Sequence, residues 1–253
     1  MEGLWGPVTS TMNWCEGNYV LVSWIAEFWN ALTSLFIALL GVFGWRLHRH
    51  HDLGMKLAFI ALAVIGFGSF AFHGTLRFET QMMDEIPMIW AALCMFYNLA
   101  TGLMPKRHHS KFASALIVWG LATTTAMIAT RHTVEFQVFV TNFLIAEGLG
   151  FAAAVPLYRR FLSPQVRRWF WIGVGLHAFG GLCWVTEQAL CAAILEWPVN
   201  PQLHAIWHIF TGAGMYTLFV CTAAYRGLAQ GIDTTVTRHR WGLPVAIPVD
   251  TPA

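Results

Sequence analysis

The chain is poor in charged residues. Of its 253 residues, 11% are Asp, Glu, Lys or Arg, whereas 57% are hydrophobic. A soluble domain carries about 25% charged residues, so this scarcity excludes an ordinary soluble domain and indicates an integral membrane protein. The alternation of apolar and polar residues that membrane β-strands need is also missing, which excludes a membrane β-barrel. No internal repeat and no separate soluble domain can be read from the sequence.

The first twenty residues lack the pattern of a cleavable signal peptide. Such a peptide has a basic start followed by an apolar core, but here polar residues such as Glu2, Asn13 and Glu16 occur instead. We therefore expect the first apolar segment to serve as the membrane-insertion signal.

The sequence does contain long apolar stretches. A helix that crosses a bilayer needs about 20 predominantly apolar residues. Seven such stretches occur, at residues 22–45, 55–74, 82–103, 112–129, 136–158, 169–195 and 203–225. The sequence thus predicts an all-α bundle of seven transmembrane helices within residues 1–228. The remaining residues, 229–253, are rich in Thr, Pro and Gly, and we expect a short, disordered cytosolic tail there.

The distribution of basic residues predicts the orientation of this bundle. Segments on one side of the membrane hold thirteen of the fifteen Lys and Arg residues, and the other side holds only Arg77 and Arg131. Because cytoplasmic loops carry the excess of Lys and Arg, we expect a cytosolic C-terminus and an N-terminus in a lumen or outside the cell. These basic residues match anionic lipid, and they do not indicate a nucleic-acid partner.

Five polar residues from distant segments fall at one depth under this topology. Ser69 and His73 lie near the outer end of the second predicted span, Asp84 at the outer start of the third, and His204 and His208 at the outer start of the seventh. Residues at i and i+4 share a helix face. Three neutral imidazoles with an open fourth position are typical of a catalytic zinc, beside which Asp84 could carry protons and Ser69 could stabilise an oxyanion.

Simpler explanations exist for these side chains. An HxxxH pair alone is a weak motif, and histidines in spans also hydrogen-bond between helices. A second polar group, the stretch from Asn13 to Asn18 with Glu16 between them, could wrap a calcium ion with oxygen ligands. Asn and Gly are also ordinary turn residues, and on the residues alone a turn before the first span is the preferred interpretation. Glu27 differs, because a carboxylate inside a span needs a partner.

Two further features follow from the topology. Cys15 and Cys191 both fall on the outer, oxidising side and are the plausible disulfide pair. Glu147 and His177 lie within spans, where we expect them to line a cavity without an assigned role.

Three motifs, in order, resemble those of the alkaline ceramidase family. The first joins Trp14-Cys15-Glu16-x-Asn18-Tyr19 to Ala26-Glu27-Phe28-Trp29-Asn30. The second joins Gly68-Ser69-x-x-Phe72-His73-x-Thr75-Leu76 to Gln81-x-x-Asp84-Glu85-x-Pro87-Met88, and the third is His204-Ala205-x-Trp207-His208-x-x-Thr211-Gly212. With the intervening spans, the resemblance covers about residues 4–228.

The resemblance implies a seven-helix intramembrane zinc amidase that cleaves ceramide into a sphingoid base and a fatty acid. It implies zinc ligands at His73, His204 and His208, with Asp84 and Ser69 as the catalytic residues. It also implies a disulfide between Cys15 and Cys191, and a location in the endoplasmic reticulum or Golgi membrane with a lumenal N-terminus. The calcium ligands that it implies are Asn13, Trp14, Glu16, Asn18 and Glu27.

Two positions depart from the family pattern. Asn13 stands where the family usually has aspartate, and because calcium affinity depends on ligand charge, we expect a weaker calcium site. Glu187-Gln188 stands where Asp-Asn is expected.

Two other functions are compatible with the same residues. A seven-helix lipid receptor could use the three histidines as a structural zinc site, although a structural site has four closed ligands and no need of Asp84 or Ser69. A hydrolase of another lipid ester or amide could use the same chemistry, and nothing in the sequence excludes it.

Overall fold

The computed structural model describes residues 3–161 and 163–249, and seven α-helices run through these residues. They are α1 (Phe28–Leu47), α2 (Leu53–Thr75), α3 (Phe78–Ala100), α4 (His109–Ala129), α5 (Glu135–Phe161), α6 (Pro164–Ile194) and α7 (Leu203–Ala229). A short 3₁₀ helix, Lys106–His108, precedes α4. The predicted seven-helix bundle is confirmed, and the chain is a multi-pass membrane protein.

Six of the helices are long and apolar enough to cross a membrane. The exception among the described helices is α3, which has the same length as α2 but carries Glu79, Asp84 and Glu85. Asp84 and Glu85 are buried, as expected because polar groups in a span normally face the protein interior, whereas Glu79 in the first turn is exposed.

Two of the helices, α2 and α6, begin with a side-chain cap. Asp52 precedes α2 and its carboxylate accepts a hydrogen bond from Met55 N at 3.1 Å. Ser163 precedes α6 and accepts from Val166 N at 3.4 Å, with Pro164 in the first helical position. Side-chain caps of this kind satisfy backbone N–H groups that the first turn leaves free.

The core lies between α1, α2 and α7. Fully buried apolar side chains from these helices, such as Phe59, Tyr216 and Phe219, pack together in it. Large apolar residues on the outer faces of α4 and α6, such as Val118 and Leu182, are exposed, as a lipid-facing surface requires. Packing at the centre and apolar exposure outside are the arrangement expected of a helical membrane bundle.

The tail expected to be disordered instead forms a β-hairpin over residues 234–248. Strand β1 (Thr234–Arg238) pairs antiparallel with β2 (Pro244–Pro248), with Val236 opposite Ala246. Both of these side chains are buried, and Tyr216 of α7 donates a hydrogen bond to Pro244 O at 3.0 Å. The expectation of disorder was wrong because this short segment buries its few apolar residues against the end of α7.

Candidate metal centre and adjoining cavity

Three buried histidines meet between α2 and α7. His73 comes from the last turns of α2, and His204 and His208 from the first two turns of α7. Each offers one nitrogen, and these nitrogens all lie within 4.8 Å of one another, close enough to share one ion. The i, i+4 spacing puts the two α7 rings on one face, and α2 supplies the third ring.

The free nitrogens of this triad fit a metal. His73 Nε2 and His204 Nδ1 are buried, and neither has a hydrogen-bond partner among the described residues. A buried polar atom without a partner is costly and rare. On the other side of the His73 ring, Nδ1 lies 2.6 Å from Glu27 Oε2. A carboxylate on one nitrogen that leaves the other free is the usual support of a metal-binding imidazole.

The His208 ring lies between two hydroxyl groups. Its Nδ1 is 3.0 Å from Thr33 Oγ1 of α1, and its Nε2 is 3.5 Å from Ser69 Oγ of α2. The Thr33 hydroxyl therefore fixes the ring at Nδ1, while Nε2 faces Ser69 and the rest of the triad.

Ser69 and Asp84 lie side by side next to the triad. The Ser69 hydroxyl is a hydrogen-bonding neighbour of the Asp84 carboxylate and lies 2.9 Å from Ser34 Oγ. Gly68 makes this contact between α2 and α3 possible. A Cβ at Gly68 would lie 2.0 Å from Met83 O, so a larger residue would push Asp84 away.

Glu187 of α6 supports the start of α7. Its Oε2 accepts a hydrogen bond from His204 N at 2.6 Å, and its Oε1 accepts from Cys15 N at 3.2 Å. One carboxylate thus stabilises the positive end of the α7 dipole and anchors the N-terminal segment next to a triad residue.

The N-terminal segment covers the triad. The Trp14 ring stacks on His204 with centroids 3.8 Å apart, and Trp14 N donates to Glu27 Oε1 at 2.8 Å. The disulfide between Cys15 and Cys191 is confirmed, with Cα atoms 5.5 Å apart. Asn200 Nδ2 also donates to Cys15 O. The segment is therefore tied to α1, α6 and α7.

The residues proposed for calcium differ in their exposure and in their hydrogen-bond partners. Trp29 N and Asn30 N donate to the Glu16 carboxylate, at 2.8 and 3.0 Å, and burial raises the pKa of Glu16 while these two donors oppose the rise. Asn18 Oδ1 is buried without a hydrogen-bond partner in the described chain, whereas Asn13 is exposed. The unpartnered Asn18 oxygen fits a cation, and calcium remains a prediction.

An apolar cavity begins one helical turn from the triad. Trp207 lines it, and the Trp207 ring lies 4.8 Å from the His204 ring and 4.9 Å from the His208 ring. The cavity continues between α1, α2, α3, α5, α6 and α7 to Tyr225 near the far end of α7. Glu147 and His177 both line it, as expected from the sequence.

All five residues predicted at one depth are thus neighbours in the fold, although their catalytic roles remain predictions. Sequence reasoning missed the three supports, namely Glu27 as the partner of His73, Thr33 as the partner of His208, and Glu187 at His204 N. The unexplained carboxylates of Glu27 and Glu187 near span ends were the available signal, because such groups need partners.

Comparison with known proteins gives matches along almost the whole chain. A family model described as Ceramidase matches residues 6–251. The chain is 30% identical to an alkaline ceramidase of Arabidopsis thaliana over 241 residues, covering 90% of this chain and 89% of that protein. It is also 30% identical to alkaline ceramidase 3 of Mus musculus over 232 residues, covering 85% and 83%. An alkaline ceramidase of Saccharomyces cerevisiae is 30% identical over 260 residues, covering 92% and 82%.

Proposed function

The chain belongs to the alkaline ceramidase family, and on that premise we propose that it hydrolyses the amide bond of ceramide, releasing a sphingoid base and a free fatty acid. The observation that carries the proposal is the meeting of three buried histidines with Ser69 and Asp84 at the end of an apolar cavity. A cluster of polar side chains at the end of a long apolar cavity suits a lipid such as ceramide, whose amide group lies between two hydrocarbon chains.

His73, His204 and His208 would hold a zinc ion. Three neutral imidazoles leave a position open for water or substrate, as in catalytic zinc sites. A zinc ion bound there would polarise the amide carbonyl and lower the pKa of water. The unpartnered nitrogens of His73 and His204 support the assignment.

Asp84 is proposed to carry the proton. Its carboxylate would accept a proton from the attacking water and later deliver that proton to the leaving amine nitrogen. Ser69 would donate its hydroxyl hydrogen to the oxyanion that develops on the former carbonyl oxygen. The hydrogen-bonding contact between Asp84 and Ser69 supports the proposal that they act together.

Calcium is proposed to bind the N-terminal segment through Asn13, the Trp14 carbonyl, Glu16, Asn18 and Glu27. The unpartnered Asn18 oxygen supports the proposal. Since Glu27 also contacts His73, loss of calcium should disturb the zinc site. Chelation that is selective for calcium should lower the melting temperature and ceramide turnover together; if neither changes while zinc is retained, calcium has no part in the protein.

One experiment tests the main proposal. Detergent-purified protein is assayed for bound metals and for turnover of a panel containing ceramide, a phospholipid and a GPI-type ester. We expect zinc near one ion per chain and cleavage of ceramide only. His208→Ala should lose both zinc and activity. His132→Ala, a change at an exposed histidine in the α4–α5 loop, should keep both.

Each other outcome identifies a different function. Zinc binding without cleavage of any lipid would favour a receptor with structural zinc, and cleavage of another lipid would replace ceramide as the substrate. Ceramide cleavage at the parent rate by His208→Ala would remove that residue from the ligand set. An endoplasmic reticulum or Golgi location with a lumenal N-terminus is part of the same proposal, and the thirteen-to-two distribution of Lys and Arg supports that orientation.

A further inference from the structure

A pair of polar side chains interrupts the apolar lining of the cavity. Glu147 of α5 and His177 of α6 both face this space, among residues such as Phe143, Phe151 and Ala154. Their closest atoms, Glu147 Oε1 and His177 Nε2, are 2.9 Å apart, and each side chain is only 15% exposed. The proposed hydrolysis uses neither residue, so their presence in an apolar space needs a separate explanation.

The pair has unused hydrogen-bonding capacity. His177 Nδ1 is buried and has no hydrogen-bond partner in the part of the chain that the structure describes, and Glu147 Oε1 makes only the close approach to His177 without hydrogen-bond geometry. A carboxylate has about four acceptor positions, and each ring nitrogen of histidine can donate or accept. Buried polar atoms left in this condition are costly, and a ligand with a polar group could satisfy them.

The depth of the pair below the triad can be measured along α7. Gly214 faces His177, since a Cβ at Gly214 would lie 2.6 Å from His177 N. Gly214 follows His208 by six residues, which is roughly 9 Å along the helix axis at 1.5 Å per residue. An extended chain advances about 1.2 Å per bond, so the pair lies about seven or eight bonds from a carbonyl held at the triad.

We propose that the cavity selects a ceramide whose acyl chain carries a hydroxyl group near its eighth carbon, bound by Glu147 and His177. The inference rests on the proposed function, because it names the acyl chain that the ceramide site takes. A hydroxyl fits both partners, since it donates one hydrogen to the carboxylate and offers lone pairs to the ring. A charged group is a poorer fit because neighbouring lining residues such as Phe143, Phe151 and Ala154 are apolar and would not solvate it.

Selectivity follows from the same groups. A site built to hydrogen-bond a substrate hydroxyl rejects the analogue that lacks it, because its buried polar groups then stay unpaired. A plain acyl chain would leave Glu147 and His177 facing hydrocarbon, whereas the hydroxylated chain satisfies them.

The first test compares kcat/KM for three ceramides with acyl chains of equal length. One is unsubstituted, one has a hydroxyl on the eighth carbon, and one has a hydroxyl beside the carbonyl. We expect the mid-chain hydroxyl to be preferred by roughly tenfold or more over the other two. Equal values for the mid-chain and unsubstituted ceramides would overturn the inference while leaving ceramide hydrolysis intact.

Variants separate recognition from a structural tie between α5 and α6. Glu147→Leu and His177→Phe should each reduce the preference to about twofold or less, and Glu147→Gln should retain part of it because its amide oxygen still accepts. Asn142→Leu is the matched control. Asn142 makes a polar contact of α5 outside the cavity, accepting from Trp119 Nε1 at 2.8 Å, so its loss costs stability but should leave the preference unchanged. A preference that survives both Glu147→Leu and His177→Phe would contradict the assignment.

A binding experiment decides the inference independently of turnover. The melting temperature of purified protein is measured with free fatty acids, unsubstituted or hydroxylated on the eighth carbon. The hydroxylated acid should raise it more in the parent protein, and the two acids should act equally in Glu147→Leu. Equal shifts in the parent protein would refute the inference. A difference in binding without any ceramide cleavage would instead support the polar pair and count against the proposed function.

Discussion

Each residue of the triad has a different neighbour that fixes its position. His73 is held by a carboxylate, His208 by the Thr33 hydroxyl, and His204 by stacking on Trp14. Such outer contacts orient the ligand rings and increase their basicity, and their loss typically costs 10–100-fold in metal affinity or activity. The strength of the proposed metal site therefore depends on α1 and on the N-terminal segment as well as on the two helices that carry the ligands.

Replacement of Ser69 tests the oxyanion role. Ser69→Ala should lower kcat by about 10²–10³-fold, the usual effect of losing one oxyanion donor, because its hydroxyl faces His208 and Asp84. Metal content should stay unchanged, since Ser69 is not a proposed ligand. Steady-state kinetics and metal analysis on the same preparation measure both.

Ser34→Ala is the matched control for this change. The Ser34 hydroxyl also contacts Asn30 O at 2.7 Å and has no proposed contact with substrate, so its loss should have a smaller effect on kcat. An equal loss in both variants would mean that the pair of hydroxyls maintains packing and that Ser69 has no special role.

At the scale of elements, the N-terminal segment and the C-terminal hairpin close opposite ends of the bundle. The segment before α1 is joined to α6 by the Cys15–Cys191 disulfide, which links residues 176 positions apart. The hairpin is joined to the α1–α2 loop, where His48 Nε2 accepts a hydrogen bond from Ala246 N at 3.1 Å. Both connections are long-range in sequence, and each can be removed separately.

Removal of the disulfide should destabilise the protein. The double variant Cys15→Ser/Cys191→Ser should lose about 2–5 kcal/mol, the usual effect of removing a native disulfide, and the covering of the triad by Trp14 should loosen. A lower melting temperature together with reduced metal retention is expected. Cys94→Ala, at a free cysteine, is the control, and equal melting of the double variant and the parent protein would show that the disulfide contributes nothing.

The hairpin contact should make stability depend on pH. Burial lowers the pKa of His48 to about 4 and also lowers that of the neighbouring His51. The unfolded chain titrates histidine near 6.5, so between about pH 6.5 and pH 4 the unfolded state binds more protons. Titration of His48 therefore leaves the free energy of unfolding unchanged above pH 6.5. Below pH 6.5 it lowers the free energy of unfolding, by at most about 1.4 kcal/mol per pH unit.

Melting temperatures across this pH range measure the effect. His48→Gln keeps an acceptor for Ala246 N but has no titrating ring. The difference in melting temperature between parent and variant should therefore shrink or reverse below pH 6.5, because only the parent protein is destabilised by protonation of His48. Since both proteins share the histidines of the triad, that difference isolates His48. Parallel pH profiles would contradict the prediction.

At the scale of the whole molecule, the arrangement places metal ligands near one end of the bundle and basic residues mostly at the other. The thirteen-to-two distribution of Lys and Arg predicts that the hairpin end is cytosolic. One basic residue there also has a structural contact, because Arg226 Nε lies 2.5 Å from Asp52 Oδ2 and joins α7 to the start of α2.

Orientation can be tested with reporters on sealed membrane vesicles of known sidedness. A protease-sensitive tag at the C-terminus should be cleaved from the cytosolic side, and a tag at the N-terminus should be protected from it. The reverse pattern would put the triad on the cytosolic side and refute the proposed topology.

Particular elements show how far the sequence could predict this fold. The sequence predicts all seven helices, with differences at their ends. The first begins at Phe28, whereas the sequence predicts residue 22, and the third covers Phe78–Ala100, whereas the sequence predicts 82–103. The sequence predicts a later start for α3 because a search for apolar stretches passes over its first turn, which contains the charged residue Glu79. The hairpin was missed because its apolar residues are few and bury only against another element.

What the sequence determined by itself is the number of helices and the end of the bundle at which Ser69, His73, Asp84, His204 and His208 lie, because both follow from counting along apolar stretches of fixed rise. The tertiary structure alone decided which groups face them. Glu27 at the start of α1 contacts His73, and Thr33 of α1 contacts His208. Glu187 of α6 contacts His204 N. Glu147 meets His177 within the cavity. Such contacts depend on how helices rotate and approach one another, and side-chain packing across the whole bundle sets that geometry.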